Sequence, residues 1–550
     1  MHVPIIKDEA FVKNYSEATQ NPAHFAEWQL FKQSYQIAET MKITSFNQLV
    51  APKFLPHVEF LPHQIECAEN VIQKMNGRAL LADEVGLGKT IEAGLILKEY
   101  LLRGLVQKVL ILVPASLVNQ WVLELNQKFL IPAFSSGKRV NWKDANILIT
   151  TLDTAKLTKH RDSILEQNYD LVIVDEAHKL KNHKTKNFQF VQQLSKKYCL
   201  LLTATPVQNK LTDIFNLISL LKPGYLGTYE DFSNHYREQK RKIDEDPYLK
   251  QLISKVMVRN RRSDTGVHWT SRKIKTIWVP FSEEEMSAYR KIESFFKQMT
   301  AISTITYLRE FCSSREACYL SLKKWLQEHE ATENPDAIEI LQTIEQLPNH
   351  AKALKLVEIV KQSNEKMIVF TEYRATQIYL QWLLHQEKIP TVIYRGGFKK
   401  GKKDWMRQLF QNQAQIMIAT EAAGEGINLQ FCHHLVNYDL PWNPMRLEQR
   451  IGRIHRFGQE NDVVIYNFAT KNTMEEHVMN LLYTKINLFE NVIGQLDQIL
   501  TDLNVQDLEK EVEQIFRESN SLGETKIKLD NLTSVIQSYQ HDSPSKEQIL

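Results

Sequence analysis

Residues 78–102 read RALLADEVGLGKTIEAGLILKEYLL, an apolar strand followed by a glycine-containing loop and a helix. Backbone N–H groups in such a loop and at a helix N-terminus can cradle phosphates. Lys89 is then placed to neutralise β- and γ-phosphate charge, and the Thr90 hydroxyl to ligate Mg2+. The strict pattern GxxxxGK[ST] is not met, because Asp83 occupies the first glycine position. Taken alone, GLGKT also fits a tight turn with an exposed lysine, so a second stretch decides. In residues 170–182, DLVIVDEAHKLKN, four apolar residues lead directly to Asp175 and Glu176. That is the C-terminal end of a strand, where α/β sheets place their ligands. Asp175 suits Mg2+, directly or in its outer sphere, and Glu176 suits orienting or deprotonating an attacking water.

Outward from these stretches the pattern repeats. RALLA, KVLILVP, ANILIT, DLVIVDE and KYCLLLTAT alternate with amphipathic segments between about 50 and 260, and KMIVFTEY, PTVIYRG, AQIMIAT and HHLVNYDL do so between about 351 and 440. Short runs rich in Val, Ile and Leu, separated by helix-length segments, indicate parallel sheets buried on both faces. The spacing therefore predicts an α/β protein with two lobes, residues 48–265 and 351–475. Residues 266–350 read as a helical linker or insertion, 1–47 as an accessory helical segment and 476–550 as a helical extension.

The bulk numbers restrict the class. The 550 residues are 43% hydrophobic and 24% charged, as in ordinary globular proteins. A net charge of +3 leaves any basic surface local. The five cysteines, Cys67, Cys199, Cys312, Cys318 and Cys432, form no CxxC pair, which fits a reducing compartment and gives no zinc pattern. MHVPIIKDEA lacks the basic-then-apolar order of a signal peptide, and no apolar run approaches the roughly 20 residues of a membrane span. We expect a cytoplasmic protein.

Residues 446–456, RLEQRIGRIHR, carry arginines at intervals of four, three and three. On a helix, about 100° per residue would gather Arg446, Arg450, Arg453 and Arg456 within roughly 120°, facing one strongly anionic target.

DEVGLGKT, DEAHKLKN, LLTATPVQN, ATEAAGEGINLQ and DLPWNPMRLEQRIGRIHRFGQ, in this order, resemble the motifs of superfamily-two helicase-like ATPases. More narrowly they resemble the Swi/Snf branch and, within it, the bacterial RapA/HepA-like group. The aspartate in the P-loop is usual there. The resemblance implies two RecA-like P-loop NTPase lobes, ATP and Mg2+ in the cleft between them, and a motor that tracks along double-stranded DNA.

Carried over residue by residue, the resemblance assigns adenine recognition to Gln64 and nucleotide binding to Asp83, Glu84, Val85, Gly86, Leu87, Gly88, Lys89 and Thr90. Gly424 and Gly426 join them from the second lobe. Thr90 and Asp175 hold the metal. Lys89, Asp175 and Glu176 act in catalysis with Gln449 and the arginine fingers Arg453 and Arg456. Arg450 assists, and Arg446 serves packing or an interlobe salt bridge. Thr203 and Thr205 match the motif that couples the γ-phosphate site to DNA. Strand contacts fall to Ser116, Gln120, Thr150 and Thr151 in the first lobe, and to Thr371, Arg374, Arg395, Gly396, Thr420 and Gly424 in the second.

Two basic runs keep two meanings. RGGFKKGKKDW, with Lys399, Lys400, Lys402 and Lys403, is a phosphate-facing patch or a solvated loop. VMVRNRRSD, with Arg259, Arg261 and Arg262, is a DNA contact or a brace between lobes. The competing functions are a strand-separating DNA or RNA helicase and a nucleotide-gated scaffold that binds a protein partner. RNA polymerase is the partner that the RapA-like resemblance suggests, although the extensions are short for polymerase-binding modules.

Overall fold

The computed structural model describes residues 9–20, 27–41, 46, 48–136, 142, 145–203, 211–238, 247–262, 265–266, 269–297, 301–329, 334–398, 400–420, 427–442 and 444–480, with isolated positions between 514 and 531. The first lobe is built on β1 (Arg78–Leu81), β2 (Val109–Leu112), β3 (Phe134–Ser135), β4 (Ile147–Thr150), β5 (Asn168–Asp175), β6 (Ser195–Leu202) and β7 (Met257–Val258). They form one sheet in the order β3-β4-β2-β5-β6-β1-β7. The second lobe contains β8 (Arg272–Val279), β9 (Met367–Thr371), β10 (Thr391–Tyr394), β11 (Ile416–Thr420), β12 (His434–Asn437) and β13 (Val463–Thr470), in the order β10-β11-β9-β12-β13-β8. Every pairing in both sheets is parallel.

Parallel strands require crossovers, and the crossover helices cover both faces of each sheet. The side chains divide accordingly. Ala79, Leu81, Val109, Ile111, Ile147 and Ile149 enter one core of the first lobe, whereas Leu80, Leu110, Leu112 and Leu148 enter the other. In the second sheet, Ile368, Phe370, Met417 and Leu435 face one core, and Met367, Val369, Ile416 and Val436 face its opposite. Continuous apolar sequence is thus a two-sided pattern of period two.

Between residues 281 and 350 the described elements are all helices, Glu283–Lys297, Ala301–Ser313, Arg315–Glu328 and Pro335–Gln346. Tyr289, Ile292, Phe296, Phe311 and Leu322 share the core that contains Ile368 and Phe370. The segment read from sequence as a linker therefore packs as a cap on the second sheet. Ahead of it, residues 272–279 form β8, an edge strand absent from the sequence reading. Its sequence, RKIKTIWV, is charged at the start and apolar at the end, and only Val279 is buried.

A buried polar hub joins cap, sheet and the helix Met474–Asn480. Lys352 Nζ lies 2.7 Å from Glu475 Oε1 and 3.6 Å from Asp439 Oδ1, with its side chain fully inaccessible. Asp439 Oδ2 also accepts from Thr371 Oγ1 at 2.5 Å, Ser313 Oγ at 2.8 Å and the Glu372 N–H at 2.9 Å. At the N-terminus, the helices Glu9–Gln20 and Trp28–Met41 leave Trp28, Phe31 and Tyr35 exposed. Among the described residues no helix is long and apolar enough to cross a membrane. The extension expected at 476–550 lies mostly outside the described residues.

Candidate active site

The loop after β1 turns through Gly86 (φ 94°) and Gly88 (φ 98°) into the helix Lys89–Leu102. A left-handed φ suits glycine, and at Gly88 a Cβ would also stand 2.5 Å from Gln64 Nε2. Gly88 is the N-cap residue and offers no side chain, so the first helical N–H groups stay open to a ligand. Lys89 Nζ donates to the carbonyls of Asp83 (2.6 Å) and Glu84 (3.2 Å), which folds the ammonium over its own loop. Gln64 accepts from the Leu61 N–H (3.1 Å) and donates to the Leu87 carbonyl (2.9 Å). Both ends of this amide thus have backbone partners that fix its orientation.

Asp83 is fully buried and engaged by the segment after β7. Its oxygens accept from the Asn260 N–H at 2.8 Å and from Asn260 Nδ2 at 3.0 Å. Glu84 likewise accepts from the Arg262 N–H at 3.0 Å. These acids bind the VMVRNRRSD segment to the loop, so their side chains hold the loop's shape. His63, Asp83 and Glu92 are buried, with ligating atoms within 4.8 Å of one another. Burial, then Asp83, pushes the Glu92 carboxyl well above its ordinary value.

Asp175 ends β5, and Glu176 follows with φ 54° and ψ 48°, a left-handed conformation that re-aims its carboxylate. Trp121 Nε1 donates to Asp175 Oδ2 at 3.0 Å, and the Glu176 N–H to Oδ1 at 2.9 Å. Burial and the adjoining Glu176 push the Asp175 carboxyl up to about 6. Burial would also raise Glu176, but its hydrogen bond to His178 and the charges of His178, Arg453 and Lys89 hold it below its ordinary value. Thr90 is the second residue of the P-loop helix, next to Lys89, on which the charges of both acids act. A hydroxyl and a desolvated carboxylate are oxygen donors of the kind that suits Mg2+.

The helix Pro444–Ile451 ends before Arg453, so the four arginines do not share a helical face. Arg450 is only 1% exposed and donates to Asn437 Oδ1 (3.2 Å) and the Asp439 carbonyl (2.7 Å). It holds the helix to the second sheet and does not assist at the P-loop, which corrects the assignment from sequence. Arg453 Nε donates to the Gln449 carbonyl at 2.9 Å, and its charge reaches Glu176. Arg456 lies near Glu124 and Asp175, with its guanidinium lowered by burial. A Cβ on Gly452 would come 2.3 Å from Val85 Cγ1. The P-loop and the 452–456 segment are therefore in contact across the cleft. Arg446 is partly exposed.

Several hydroxyls and amides read as strand contacts have internal partners. Thr150 is buried and accepts from Ser136 Oγ at 2.8 Å. Thr151 caps the helix Leu152–Ala155 by accepting from the Thr154 N–H at 3.0 Å. Gln120 donates to Glu124 at 2.8 Å, and Thr371 to Asp439. Thr420 is 7% exposed and Thr203 1%. Ser116, Arg395 and Gly396 are partly exposed, and Arg374 is exposed. Arg395 and Lys402 flank the Phe398 ring at 5.0 and 4.4 Å. Thr205, Lys399, Gly424 and Gly426 lie outside the described residues.

Four positions in the site had no role in the sequence reading. Trp121, one residue after Gln120, orients Asp175, and His178 steadies Glu176. His455 and Arg272 surround Arg262, which proves to be a brace between lobes. His178 lies two residues from Glu176 inside a quoted motif and was a visible signal, whereas the partners of Trp121, His455 and Arg272 are remote in sequence.

Residues 63–353 match the SNF2-related domain, and residues 351–458 the helicase conserved C-terminal domain. Over its whole length and that of the relative, the chain is 53% identical to the uncharacterized ATP-dependent helicase YqhH of Bacillus subtilis. It is 28% identical to the RNA polymerase-associated protein RapA of Yersinia enterocolitica over 78% of this chain and 50% of that one. The chain thus spans about half the length of this RapA relative. The Sulfolobus solfataricus SWI2/SNF2 ATPase core in complex with dsDNA is 22% identical, with a TM-score of 0.38, over 84% of this chain and 98% of that one. The first match spans the first sheet and continues through β8 and the helical cap, and the second covers β9 to β12 and the arginine segment that meets the P-loop. The chain belongs to the SNF2-related family of superfamily-two helicase-like ATPases, in its RapA-like branch.

Proposed function

We propose that this ATPase is a double-stranded DNA translocase. The observation that carries the reading is the meeting of Arg453 and Arg456 with Glu176 and Asp175 across the cleft. ATP binds the first lobe through Gln64 and the Asp83–Thr90 loop, where the helix N-terminus and Lys89 receive the phosphates. Bound Mg2+, held by Thr90 and Asp175, would neutralise phosphate charge. Glu176, kept ionised, accepts a hydrogen bond from the attacking water and turns it toward phosphorus. Arg453 and Arg456 stabilise charge on the transferring phosphoryl group, a contribution of about 10³ to 10⁵ in rate for an arginine finger. Gln449 senses the γ-phosphate beside them, and the resemblance adds Gly424 and Gly426 to the nucleotide contacts.

DNA contacts then come from the groups that remain accessible, Ser116 and Gly396 with the cations Arg374 and Arg395. Contacts to phosphates irrespective of sequence suit a tracking motor. Each lobe holds its own stretch of backbone, so closing and opening of the cleft moves the protein along the duplex. The partial match to an RNA polymerase-associated protein also supports a polymerase as partner, and the cytoplasm as the place of action.

ATP turnover measured without nucleic acid and with duplex DNA, single-stranded DNA or RNA tests this reading. Duplex DNA should raise the rate most. Equal rates in all four conditions would refute DNA-driven translocation.

A further inference from the structure

Just after β7, Asn260 and Arg262 are bound to Asp83 and Glu84 of the P-loop. Arg262 has partners on both sides of the cleft. Its Nη2 donates to the Val85 carbonyl of the P-loop at 2.7 Å and to the His455 carbonyl of the arginine segment at 3.2 Å. Its Nη1 lies 2.9 Å from His455 Nδ1, and its guanidinium packs on the Trp269 ring with 4.6 Å to the centroid. The Arg262 backbone N–H is fixed by Glu84, so the side chain starts from an anchored point.

His455 carries the connection onward. Arginine can only donate, so Nδ1 accepts from both Arg262 and Arg272 Nε, the latter at 2.8 Å. Nε2 must then hold the proton, which it donates to the Thr270 carbonyl at 2.9 Å. Arg272 completes the chain with a two-pronged bond to Glu448, at 2.8 and 3.2 Å. Glu448 sits beside Gln449 on the helix that leads to Arg453 and Arg456. Burial and the flanking Arg272 and Arg262 hold the imidazole down to about 3, so it remains a neutral acceptor at working pH.

We infer that Arg262 and His455 are positioning residues that clasp the closed cleft: a planar, two-pronged cation joins the P-loop carbonyl of Val85 to the segment bearing the fingers. Separation of the lobes breaks the Val85 side or the His455 side of this clasp. Its energy is therefore available only in the state in which Arg453 and Arg456 reach the nucleotide. Nucleotide binding on the first lobe does not require it. Lysine is a poor substitute because a single ammonium cannot reproduce the fork.

The inference rests on the proposed nucleotide site, and two readouts keep the two apart. The first is steady-state ATP hydrolysis by the full chain with Arg262→Ala, Arg262→Lys, His455→Ala and the double alanine variant. Loss of a charged hydrogen-bond junction corresponds to a fall in kcat of about 10- to 100-fold. The ATP KM should stay within about twofold, and the double variant should be no worse than the more affected single one by more than about twofold. Arg262→Lys should fail to restore the rate. Unchanged kcat, a loss confined to KM, or effects that multiply in the double variant would overturn the clasp.

The second readout is compaction measured by small-angle X-ray scattering with a non-hydrolysable ATP analogue and Mg2+, which needs no turnover. The native chain should contract and Arg262→Lys should contract less. Equal contraction of the two would overturn the clasp even if native ATP hydrolysis proved insensitive to DNA. Insensitivity to DNA would overturn only the translocase reading.

Discussion

Two adjacent carboxylates at the end of β5 are set apart by their surroundings. Asp175 is raised to about 6 by burial and by Glu176, whereas His178, Arg453 and Lys89 draw Glu176 below its ordinary value. The first is poised to take a cation and the second stays ionised beside the arginines. Glu176→Gln should leave ATP binding within about threefold and lower kcat by about 10³ or more, as expected when a water-orienting group is removed. Retained turnover in that variant would remove Glu176 from the mechanism. Trp121→Phe keeps the buried ring but deletes the donor to Asp175 Oδ2. Its Mg2+ requirement should rise about 10-fold with nucleotide binding in EDTA unchanged, since outer partners of this kind are worth about 10- to 100-fold. At this scale much was legible from sequence, because Lys89, Thr90, Asp175 and Glu176 sit in short contiguous motifs. Trp121 was not, and Arg262 was left between a DNA contact and a brace between lobes, because their roles depend on partners brought in by the fold.

At the scale of elements, the second lobe is organised around buried polar groups that a hydrophobic pattern does not announce. Lys352 faces Glu475 and Asp439 in the interior. Lys352→Met should destabilise the lobe by about 3–5 kcal/mol, because it leaves two carboxylates buried without their cation. A urea midpoint equal to that of the native chain would contradict this account of the hub. His350, His434 and His455 are also buried and are held down to about 3, 4 and 3, in each case by burial first. Below pH 6.5 the unfolded chain gains protons at these positions and the folded chain does not. Stability should therefore fall as the pH drops from 6.5 toward 4, by up to about 1.4 kcal/mol per pH unit per histidine. Asp175 and Glu310, raised to about 6 and 7, act in the opposite sense and offset part of the loss. The decline in urea midpoint between pH 7 and pH 5 should be smaller in His350→Phe than in the native chain, and an equal decline would refute the contribution of that histidine. The same scale shows why four arginines at helical spacing misled: the helix stops at Ile451, Arg450 turns into the core, and only Arg453 and Arg456 approach the carboxylates. A helical wheel assumes a helix of sufficient length, and spacing alone does not reveal where a helix ends. β8 was missed because the charges in RKIKTIWV break up its apolar run; β3, β7 and β13 were missed as well, the first two because strands of two residues carry no pattern.

On the scale of the whole molecule, two parallel sheets meet where the P-loop touches residues 452–456, and one connecting segment runs across that junction. The two-lobed architecture was readable because each fully buried parallel strand is a short apolar run. The packing of the helical cap on the second lobe was not, since amphipathic helices do not specify which core they cover. A cleft whose catalytic parts belong to different lobes couples chemistry to relative motion, which is what translocation on a duplex requires. Release of a triplex-forming oligonucleotide from a linear duplex measures that coupling directly. The account predicts release that requires ATP and is lost in Glu176→Gln, while the duplex stays paired. ATP hydrolysis that leaves the third strand in place, or that separates the duplex strands, would contradict it.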